Sequence, residues 1–209
     1  MDWKFDSSVA EIFSGHARQH IPDYDRVIGL TVDLCKQKLS MTDPILEIGC
    51  AVGETVTRLH YAGFINIHAV DSSQAMLDHC PKNFATYYCT EDFPVTNTKF
   101  KAVLCNWTLH FIRNKHSYME QIFNSIEPDG FLILSEKTVN EGLALEQYHR
   151  FKSAQGVSDE AIKAKAESLK NTMFVHNPVW YLENLQVAGF KKVYIANANW
   201  CFTTFVAIK

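Results

Sequence analysis

The sequence lacks the features that would place the protein in a membrane or along nucleic acid. Its 209 residues include no apolar stretch close to the ~20 residues that a membrane-spanning helix needs. It has no basic excess either, because 20 lysines and arginines stand against 23 acids, for a formal net charge of −3. Direct nucleic-acid binding is therefore not expected. Residues 1–6 carry two acids where a secretory signal has a basic and then an apolar region, so we expect a cytoplasmic protein.

Paired cysteines are also lacking. The six cysteines are scattered without a Cys-x-x-Cys pair, so neither a zinc site nor a thioredoxin-like redox site is indicated. We expect reduced, buried thiols that pack as small apolar side chains. His16 and His20 share a helical face, but no third ligand has suitable spacing, and we predict no metal.

The composition indicates one folded domain. With 47% hydrophobic and 21% charged residues, the chain is close to the globular average and long enough to bury a core of its own. It contains no internal repeat or low-complexity segment. We predict a single domain over residues 1–209, with an amino-terminal helical cover at residues 1–40 and a helical insertion at residues 141–175.

Helical and extended patterns alternate along most of the chain. Five short apolar segments are predicted as strands: residues 44–49, 64–70, 85–89, 100–105 and 131–135, with a helix expected at 118–126 before the fifth. Strands that alternate with helices pair in parallel and are covered on both faces. Residues 193–198 and 202–208 are extended with little room between them, so they pair antiparallel as a hairpin. This pattern predicts an α/β fold with a mostly parallel sheet and an antiparallel carboxy-terminal hairpin.

A glycine-containing loop follows the first strand, in Glu47-Ile48-Gly49-Cys50-Ala51-Val52-Gly53. Gly49 follows the strand and Gly53 opens a helix, so a ligand can approach the backbone N–H groups closely. A phosphate-binding loop would need a lysine after its last glycine, where Glu54 stands. A dinucleotide loop would need glycines at its first, third and sixth positions, where Gly49, Ala51 and Glu54 stand. Neither type of nucleotide site fits this loop.

Polar residues stand at the ends of two further predicted strands. Asp71 ends the second strand, where a carboxylate can accept both hydroxyls of a ribose. The alternative is that Asp71 only caps the helix that begins at Ser72. Asn106 directly follows the fourth strand, which suits a site residue, because ligands of open α/β sheets bind at the carboxyl edge.

The loop resembles the Glu/Asp-x-Gly-x-Gly-x-Gly pattern of class I S-adenosylmethionine-dependent methyltransferases, with Ala51 in place of the middle glycine. The resemblance implies a Rossmann-like class I methyltransferase fold with a seven-stranded sheet. It also implies that S-adenosyl-L-methionine or S-adenosyl-L-homocysteine is bound. S-adenosylmethionine carries an ammonium and a sulfonium instead of phosphates, so acidic groups favour it. By the same resemblance Glu91 and Asp92 contact the adenine, the alternative being that they are solvated loop acids.

A narrower resemblance is to the carboxy-S-adenosylmethionine synthases that feed modification of the tRNA wobble uridine. It covers nearly the whole chain and is carried by these motifs: Asp2-Trp3-x-Phe5-Asp6, Pro22-x-Tyr24, Gly49-Cys50, Asp71-Ser72, Asn106-x-Thr108-Leu109-x-Phe111, Ser135-Glu136-Lys137, Phe151-Lys152 and Ala188-Gly189-Phe190. The expected cofactor-binding residues are Tyr24, Glu47, Gly49, Cys50, Ala51, Gly53, Asp71, Ser72, Glu91, Asp92 and Asn106.

One position departs from that group. The synthases hold the extra carboxylate of their product with an arginine in the helix before Ala188-Gly189-Phe190, and the corresponding residue here is Asn184. A neutral amide cannot form the bidentate, charge-assisted pair of an arginine. The nearest cations in sequence are Lys191, Lys192 and Arg150. This departure favours methyl transfer over the synthase reaction.

The sequence thus favours an S-adenosylmethionine-dependent methyltransferase that acts on a small molecule. His110, beside the fourth-strand tip, and His149, in the insertion, are the candidate catalytic bases, and the alternative is that both are structural. Tyr24 and Trp107 could face the sulfonium. Two other functions stay open: a carboxy-S-adenosylmethionine synthase-like enzyme that uses another cation, and a non-catalytic cofactor-binding protein. A homodimer stays open as well.

Overall fold

A computed structural model of the chain describes residues 5–138 and 141–209. Asp2 and Trp3 of the amino-terminal motif, and residues 1–4 of the predicted cover, lie outside the described residues. The helices in the described part are α1 Ser7–His20, α2 Tyr24–Lys38, α3 Glu54–Tyr61, α4 Gln74–Asp78, α5 Lys115–Ser125, α6 Gly142–Ala154, α7 Asp159–Leu169 and α8 Pro178–Val187. The strands are β1 Ile45–Ile48, β2 Ile67–Asp71, β3 Thr86–Cys89, β4 Phe100–Asn106, β5 Ile126–Lys137, β6 Lys192–Asn199 and β7 Phe202–Ile208.

The seven strands form one sheet in the order β3-β2-β1-β4-β5-β7-β6. All pairs from β3 to β5 are parallel, while β7 pairs antiparallel with both β5 and β6. The predicted α/β fold with its antiparallel hairpin is therefore confirmed. The strand order reverses between β1 and β4, and such a switch point opens a crevice at the carboxyl ends of the strands.

Register brings three loops together at this crevice. Ile48 of β1 lies opposite Val70 of β2 on one side and Cys105 of β4 on the other. The residues that follow these three positions are Gly49, Asp71 and Asn106, so the pairing places them side by side.

The sheet is covered on both faces, as strands with near-continuous apolar sequences require. Successive residues of β1 point to opposite faces: Ile45 packs in one core cluster and Leu46 in the other. The first cluster includes side chains of α2 and α3, and the second includes side chains of α5 and α8. Five of the six free cysteines are buried as predicted, whereas Cys89 is exposed.

The amino-terminal helices and the predicted insertion meet over the carboxyl ends of the strands. The Tyr148 hydroxyl on α6 donates a hydrogen bond to the His20 carbonyl at the end of α1, over 3.0 Å. Helices α6 and α7 lie within the predicted insertion, and the turn between them contains Gly156, which is in the left-handed region at φ 84°.

Some predicted boundaries were wrong around the fifth strand. α5 begins three residues earlier than predicted, at Lys115, because the Asn114 side chain caps it by accepting from the Ser117 amide. β5 begins at Ile126, which pairs with Phe100 before the register shifts. A single 3-10 turn at Leu109–Phe111 was not predicted.

None of the helices in the described ranges has the length and apolar character that crossing a membrane requires.

Candidate functional site

A cavity of about 720 Å³ lies at the carboxyl ends of β1, β2 and β4. Its other walls come from α1, α6, α7 and the end of β5. The volume falls in the range of small-molecule sites, roughly 300–1,000 Å³. The predicted site residues that line it are Tyr24, Glu47, Gly49, Cys50, Ala51, Asp71, Ser72, Glu91, Asp92, Asn106, His110 and His149. Gly53 is the predicted site residue that does not.

The loop after β1 has a backbone that side chains rarely tolerate. Gly49 has φ 71°, and a Cβ there would collide with the Thr108 side chain. The Thr108 hydroxyl donates to the Ile48 carbonyl at 3.2 Å, so the tip of β4 lies directly on the loop. Ala51 has φ 47°, a left-handed conformation that costs a non-glycine residue ~1 kcal/mol. This conformation explains why a glycine is the usual residue at that place in the motif.

Gly53 is packed closely against the segment that follows α4. It has φ 78° at the start of α3, and a Cβ there would lie 3.1 Å from the Cys80 sulfur and 3.3 Å from Pro81 Cδ. The need for glycine at this position therefore comes from the segment that follows α4 and from the left-handed backbone.

Asp71 presents a carboxylate whose two oxygens each accept one backbone N–H. Oδ2 accepts from Ala51 at 2.9 Å and Oδ1 from Ser73 at 2.9 Å. The cap of α4 is Ser73, whose hydroxyl accepts from the Met76 amide at 3.3 Å. Burial raises the pKa of Asp71 despite these N–H bonds. Each oxygen keeps a further lone pair for a ligand hydroxyl.

Three buried polar atoms in the cavity wall have no hydrogen-bond partner within the described chain. They are Glu47 Oε2 and both side-chain polar atoms of Asn106. Burial raises the pKa of Glu47 to about 8, although Thr55 and the Val56 amide hydrogen-bond to the carboxyl. Unpaired buried polar atoms are rare and costly in proteins, and those that line a cavity indicate a polar ligand.

These observations fit the cofactor that the sequence resemblance implies. An acid and an amide could bind the charged amino-acid end of S-adenosylmethionine, and Asp71 could accept both ribose hydroxyls. Glu91 and Asp92 are exposed at the cavity wall beyond β3, where an adenine edge could reach them.

Tyr24 and Trp107 form a stacked aromatic wall. Their ring centroids are 4.8 Å apart with 25° between the planes. The Tyr24 hydroxyl donates to Glu54 Oε2 at 3.2 Å, and burial raises the pKa of Tyr24 well above its ordinary range. Trp107 has φ 56°, so the tip of β4 turns sharply and presents the indole to the cavity.

His110 belongs to a buried hydrogen-bonded group that sequence reasoning did not find as a unit. His110 Nδ1 lies 3.0 Å from Glu136 Oε2, which also accepts from the Tyr181 hydroxyl at 3.2 Å. Glu136 Oε1 accepts from the Leu109 amide at 2.9 Å. Because a carboxylate accepts at Nδ1, the neutral ring keeps its lone pair on Nε2. A histidine held this way in a cavity wall can take a proton from a ligand.

His149 lies at the opposite end of the cavity, among lysines. Burial, and then the nearby charges of Lys152 and Lys137, lower its pKa. Lys137, Lys152 and Lys165 all line this end, and none of them was a predicted site residue. The motifs Ser135-Glu136-Lys137 and Phe151-Lys152 held the only sequence signal for them, and Lys165 had none.

Asn184 does not line the cavity. It is on α8, and its side-chain amide donates to the Trp180 carbonyl at 2.8 Å within the same helix. In the described chain this position therefore presents no side chain to the cavity. Lys191, Lys192 and Arg150, the other nearby cations in sequence, do not line the cavity either.

His16 and His20 stack with ring centroids 4.0 Å apart, and His20 Nδ1 bonds to the His16 carbonyl at 2.9 Å. Within residues 5–138 and 141–209, no group of three or more His, Cys, Asp or Glu side chains is arranged to hold a metal ion.

Comparison with known proteins places the chain among methyltransferases. The family described as "Methyltransferase domain" matches residues 18–184, which is most of the chain. A carboxy-S-adenosyl-L-methionine synthase of Nautilia profundicola is 27% identical over 223 residues, covering 99% of this chain and 94% of that protein.

Two solved structures share the fold. Phosphoethanolamine N-methyltransferase 2 of Haemonchus contortus, in complex with S-adenosyl-L-methionine, superposes with a TM-score of 0.70 at 13% identity, over 99% of this chain and 60% of that one. An S-adenosylmethionine-dependent methyltransferase of Thermotoga maritima gives a TM-score of 0.66 at 16% identity, over 99% of both chains. At such identities these two show the fold alone.

Proposed function

The chain belongs to the methyltransferase domain family, and we propose that it transfers the methyl group of S-adenosylmethionine to a small-molecule acceptor. The observation that best supports this reaction is the cavity that joins the left-handed loop, the Asp71 carboxylate and the unpartnered atoms of Glu47 and Asn106. The cationic, polar cofactor matches the acids that line this part of the cavity.

The cofactor half of the cavity is assigned by its chemistry. Asp71 accepts the ribose hydroxyls, Glu47 and Asn106 bind the amino-acid end, and the exposed acids beyond β3 contact the adenine. When bound, S-adenosylmethionine supplies a methyl group activated by its sulfonium. The Tyr24 and Trp107 rings offer their faces to that positive charge and exclude water from it.

His110 is the proposed base of the reaction. It takes the proton that the acceptor nucleophile loses, and Glu136 is the positioning residue that orients the imidazole. Tyr181 and the Leu109 amide hold Glu136 in place. His149 lies at the end of the cavity that Lys137 and Lys152 also line, and it contributes there to acceptor binding.

The first test is cofactor binding by calorimetry. We expect Asp71→Ala to weaken S-adenosylmethionine binding roughly 100-fold or more, because two hydrogen bonds to a charged group are lost. Asp78→Ala, at an exposed acid at the end of α4, is the matched control and leaves the affinity unchanged. Equal affinity of the Asp71→Ala protein and the wild type would contradict the assignment.

The second test addresses the base. Transfer of labelled methyl groups to a metabolite extract is measured for Glu136→Gln and His110→Gln. We expect both variants to lose activity by roughly 10²-fold while cofactor affinity is kept, because proton transfer, and not cofactor binding, is impaired. Loss of cofactor binding in parallel with activity would indicate a structural role for the pair.

A carboxy-S-adenosylmethionine synthase-like reaction is the second candidate. It is favoured by the similarity to such a synthase along 99% of the chain. Mass spectrometry of the ligand that co-purifies with the protein separates the two candidates, because the carboxylated cofactor has a distinct mass. Ordinary cofactor or S-adenosylhomocysteine alone would favour methyl transfer.

We further propose that the protein acts in the cytoplasm, without direct nucleic-acid contact, as a homodimer. Support comes from the slightly acidic composition and from the exposed apolar side chains Tyr194, Ile195 and Trp200 on the hairpin. Light scattering of the purified protein measures its mass, and a monomer would contradict the dimer.

A further inference from the structure

Most ionisable groups of the cavity are divided by charge between its two ends, and Arg113, after the 3-10 turn that follows β4, is a further cation in the wall. All the acids that line the cavity lie near the carboxyl ends of β1, β2 and β3: Glu47, Glu54, Asp71, Glu91 and Asp92. The opposite end is formed by α1, α6, α7 and the end of β5, and it presents Lys137, Lys152, Lys165, His16, His20 and His149. Among the described residues, no carboxylate lines this second end, which is called the lysine end below.

Two of the lysines flank one tyrosine ring. The ammonium of Lys152 lies 4.2 Å from the centroid of the Tyr148 ring, and that of Lys137 lies 4.9 Å from the same centroid. Lys152 is only 5% exposed. In the described part of the chain, neither of these two lysines forms an ion pair with a carboxylate. Lys165 adds a third amino group from α7, close enough to His16 and His20 for its charge to lower their pKa.

Burial of like charges in one cavity is costly unless a ligand of the opposite sign balances them. Burial and the neighbouring Lys137 lower the pKa of Lys152 to about 8, and burial lowers that of Lys165 to about 6. Cys201 is the titratable group that opposes the shift at Lys152. The proposed function places the amino-acid end of the cofactor at Glu47 and Asn106, so its carboxylate is not available to balance the lysines, and its sulfonium is itself positive. An anion at the lysine end would favour the protonated ammonium groups and relieve their repulsion.

We propose that the lysine end is the acceptor subsite and that the acceptor is a small organic carboxylate, held by Lys137, Lys152 and Lys165. Apolar side chains beside the lysines, Leu145 and Phe202, contact its carbon skeleton. This proposal rests on the proposed function, and it names the chemical class of the acceptor. It also provides cations for a carboxylate at a place unrelated to Asn184.

The test is calorimetry on the full chain saturated with S-adenosylhomocysteine. The probes are 3-phenylpropionate and its uncharged amide, 3-phenylpropanamide, and then succinate and succinamide. We expect each carboxylate to bind roughly tenfold or more tightly than its amide, because charge-assisted hydrogen bonds are stronger than neutral ones. We also expect binding at pH 8 to take up protons from the buffer, seen as a dependence of the heat on the buffer, because the bound carboxylate raises the pKa of Lys152 and Lys165.

Lys152→Met and Lys165→Met, singly and together, keep much of the stem volume and remove the charge. We expect the double variant to lose the preference for carboxylate and the proton uptake. Lys163→Met is the matched control on α7, because Lys163 is exposed and does not line the cavity. Each variant's affinity for S-adenosylhomocysteine shows that it is folded, and we expect this affinity to be unchanged.

Three results would each overturn the proposal while leaving cofactor binding intact. They are equal binding of carboxylate and amide, no detectable carboxylate binding, and a preference for carboxylate that survives the double substitution. Absence of S-adenosylhomocysteine binding by the wild type would instead contradict the proposed function.

Discussion

The burial of Glu47 lowers the free energy of unfolding when its carboxyl would otherwise be ionised. Its ordinary pKa of 4.5 rises to about 8 in the fold, so the unfolded chain releases the proton at lower pH than the folded chain does. The contribution of Glu47 to the free energy of unfolding is therefore greatest below about pH 4.5, where the carboxyl is protonated in both states. This contribution is lost as the pH rises toward 8, because the carboxyl ionises more readily in the unfolded chain. A cationic ligand group at the free Oε2 would reverse this effect by favouring the carboxylate.

Glu47→Gln is therefore expected to stabilise the ligand-free protein increasingly between pH 5 and pH 8, by ~2–4 kcal/mol at the upper end. The same variant is expected to bind S-adenosylmethionine more weakly, because the negative charge is lost. Melting temperatures and calorimetric affinities across this pH range measure both effects. Glu146→Gln, at an exposed acid on α6, is the control. A difference in melting temperature that does not change with pH would contradict the role assigned to burial.

At the scale of elements, α1 crosses the cavity as a strap that is attached at both ends. At its amino end, the Phe5 ring packs edge-on against Phe111, with centroids 5.5 Å apart. Near its carboxyl end, Arg18 donates to both oxygens of Asp25 on α2, at 2.8 and 2.9 Å, and contacts Glu54 on α3. Because Glu54 also accepts from Tyr24, this cluster joins the strap to the aromatic wall of the cofactor site.

Arg18→Met is expected to release the carboxyl end of the strap. The arginine is 38% exposed, so the loss of global stability is small, about 1 kcal/mol or less. The dissociation rate of S-adenosylhomocysteine, measured by stopped flow, is expected to rise by roughly fivefold. Raised salt should bring the wild type toward the variant, because the cluster is partly solvated. Arg26→Met on α2 is the exposed control, and an unchanged dissociation rate in Arg18→Met would show that α1 does not retain the ligand.

At the scale of the whole molecule, the cavity couples parts that are distant in sequence. It is lined by residues from Phe5 to Phe202, in the amino-terminal helices, the sheet and the insertion. A ligand in the cavity therefore contacts most layers of the fold at once, and its binding energy adds to the free energy of global unfolding.

S-adenosylhomocysteine at ~100 times its dissociation constant is expected to add about 2.7 kcal/mol to the free energy of unfolding. For a chain of this size the melting temperature rises by roughly 5–10 °C in a single transition. Differential scanning calorimetry measures the shift, and the Asp71→Ala protein should show almost none. A shift of the same size in that variant would place the ligand elsewhere.

Much of the fold, and the meeting of Asp71, Asn106 and the Gly49 loop at one edge of the sheet, could be predicted from the sequence. The reason is that both depend on local order along the chain. Apolar strands alternating with helices require a parallel sheet, and the carboxyl ends of its central strands must then meet. Asp71 and Asn106 were found because each directly follows such a strand, and the loop at Gly49 was found because its backbone needs residues without bulk.

What only the tertiary structure decided is how distant side chains meet. The pairing of His110 with Glu136 depends on neighbouring strand ends, and the lysine end combines a strand with two inserted helices. Asn184 shows the converse, because the family resemblance implied a ligand contact at its position, but its side chain bonds within its own helix and does not line the cavity. The sequence by itself determined the parallel strands with their antiparallel hairpin, the glycine-containing loop after β1 and the absence of basic excess. The charge division of the cavity required the fold, because a side chain's direction and distant neighbours depend on packing, which local sequence does not encode.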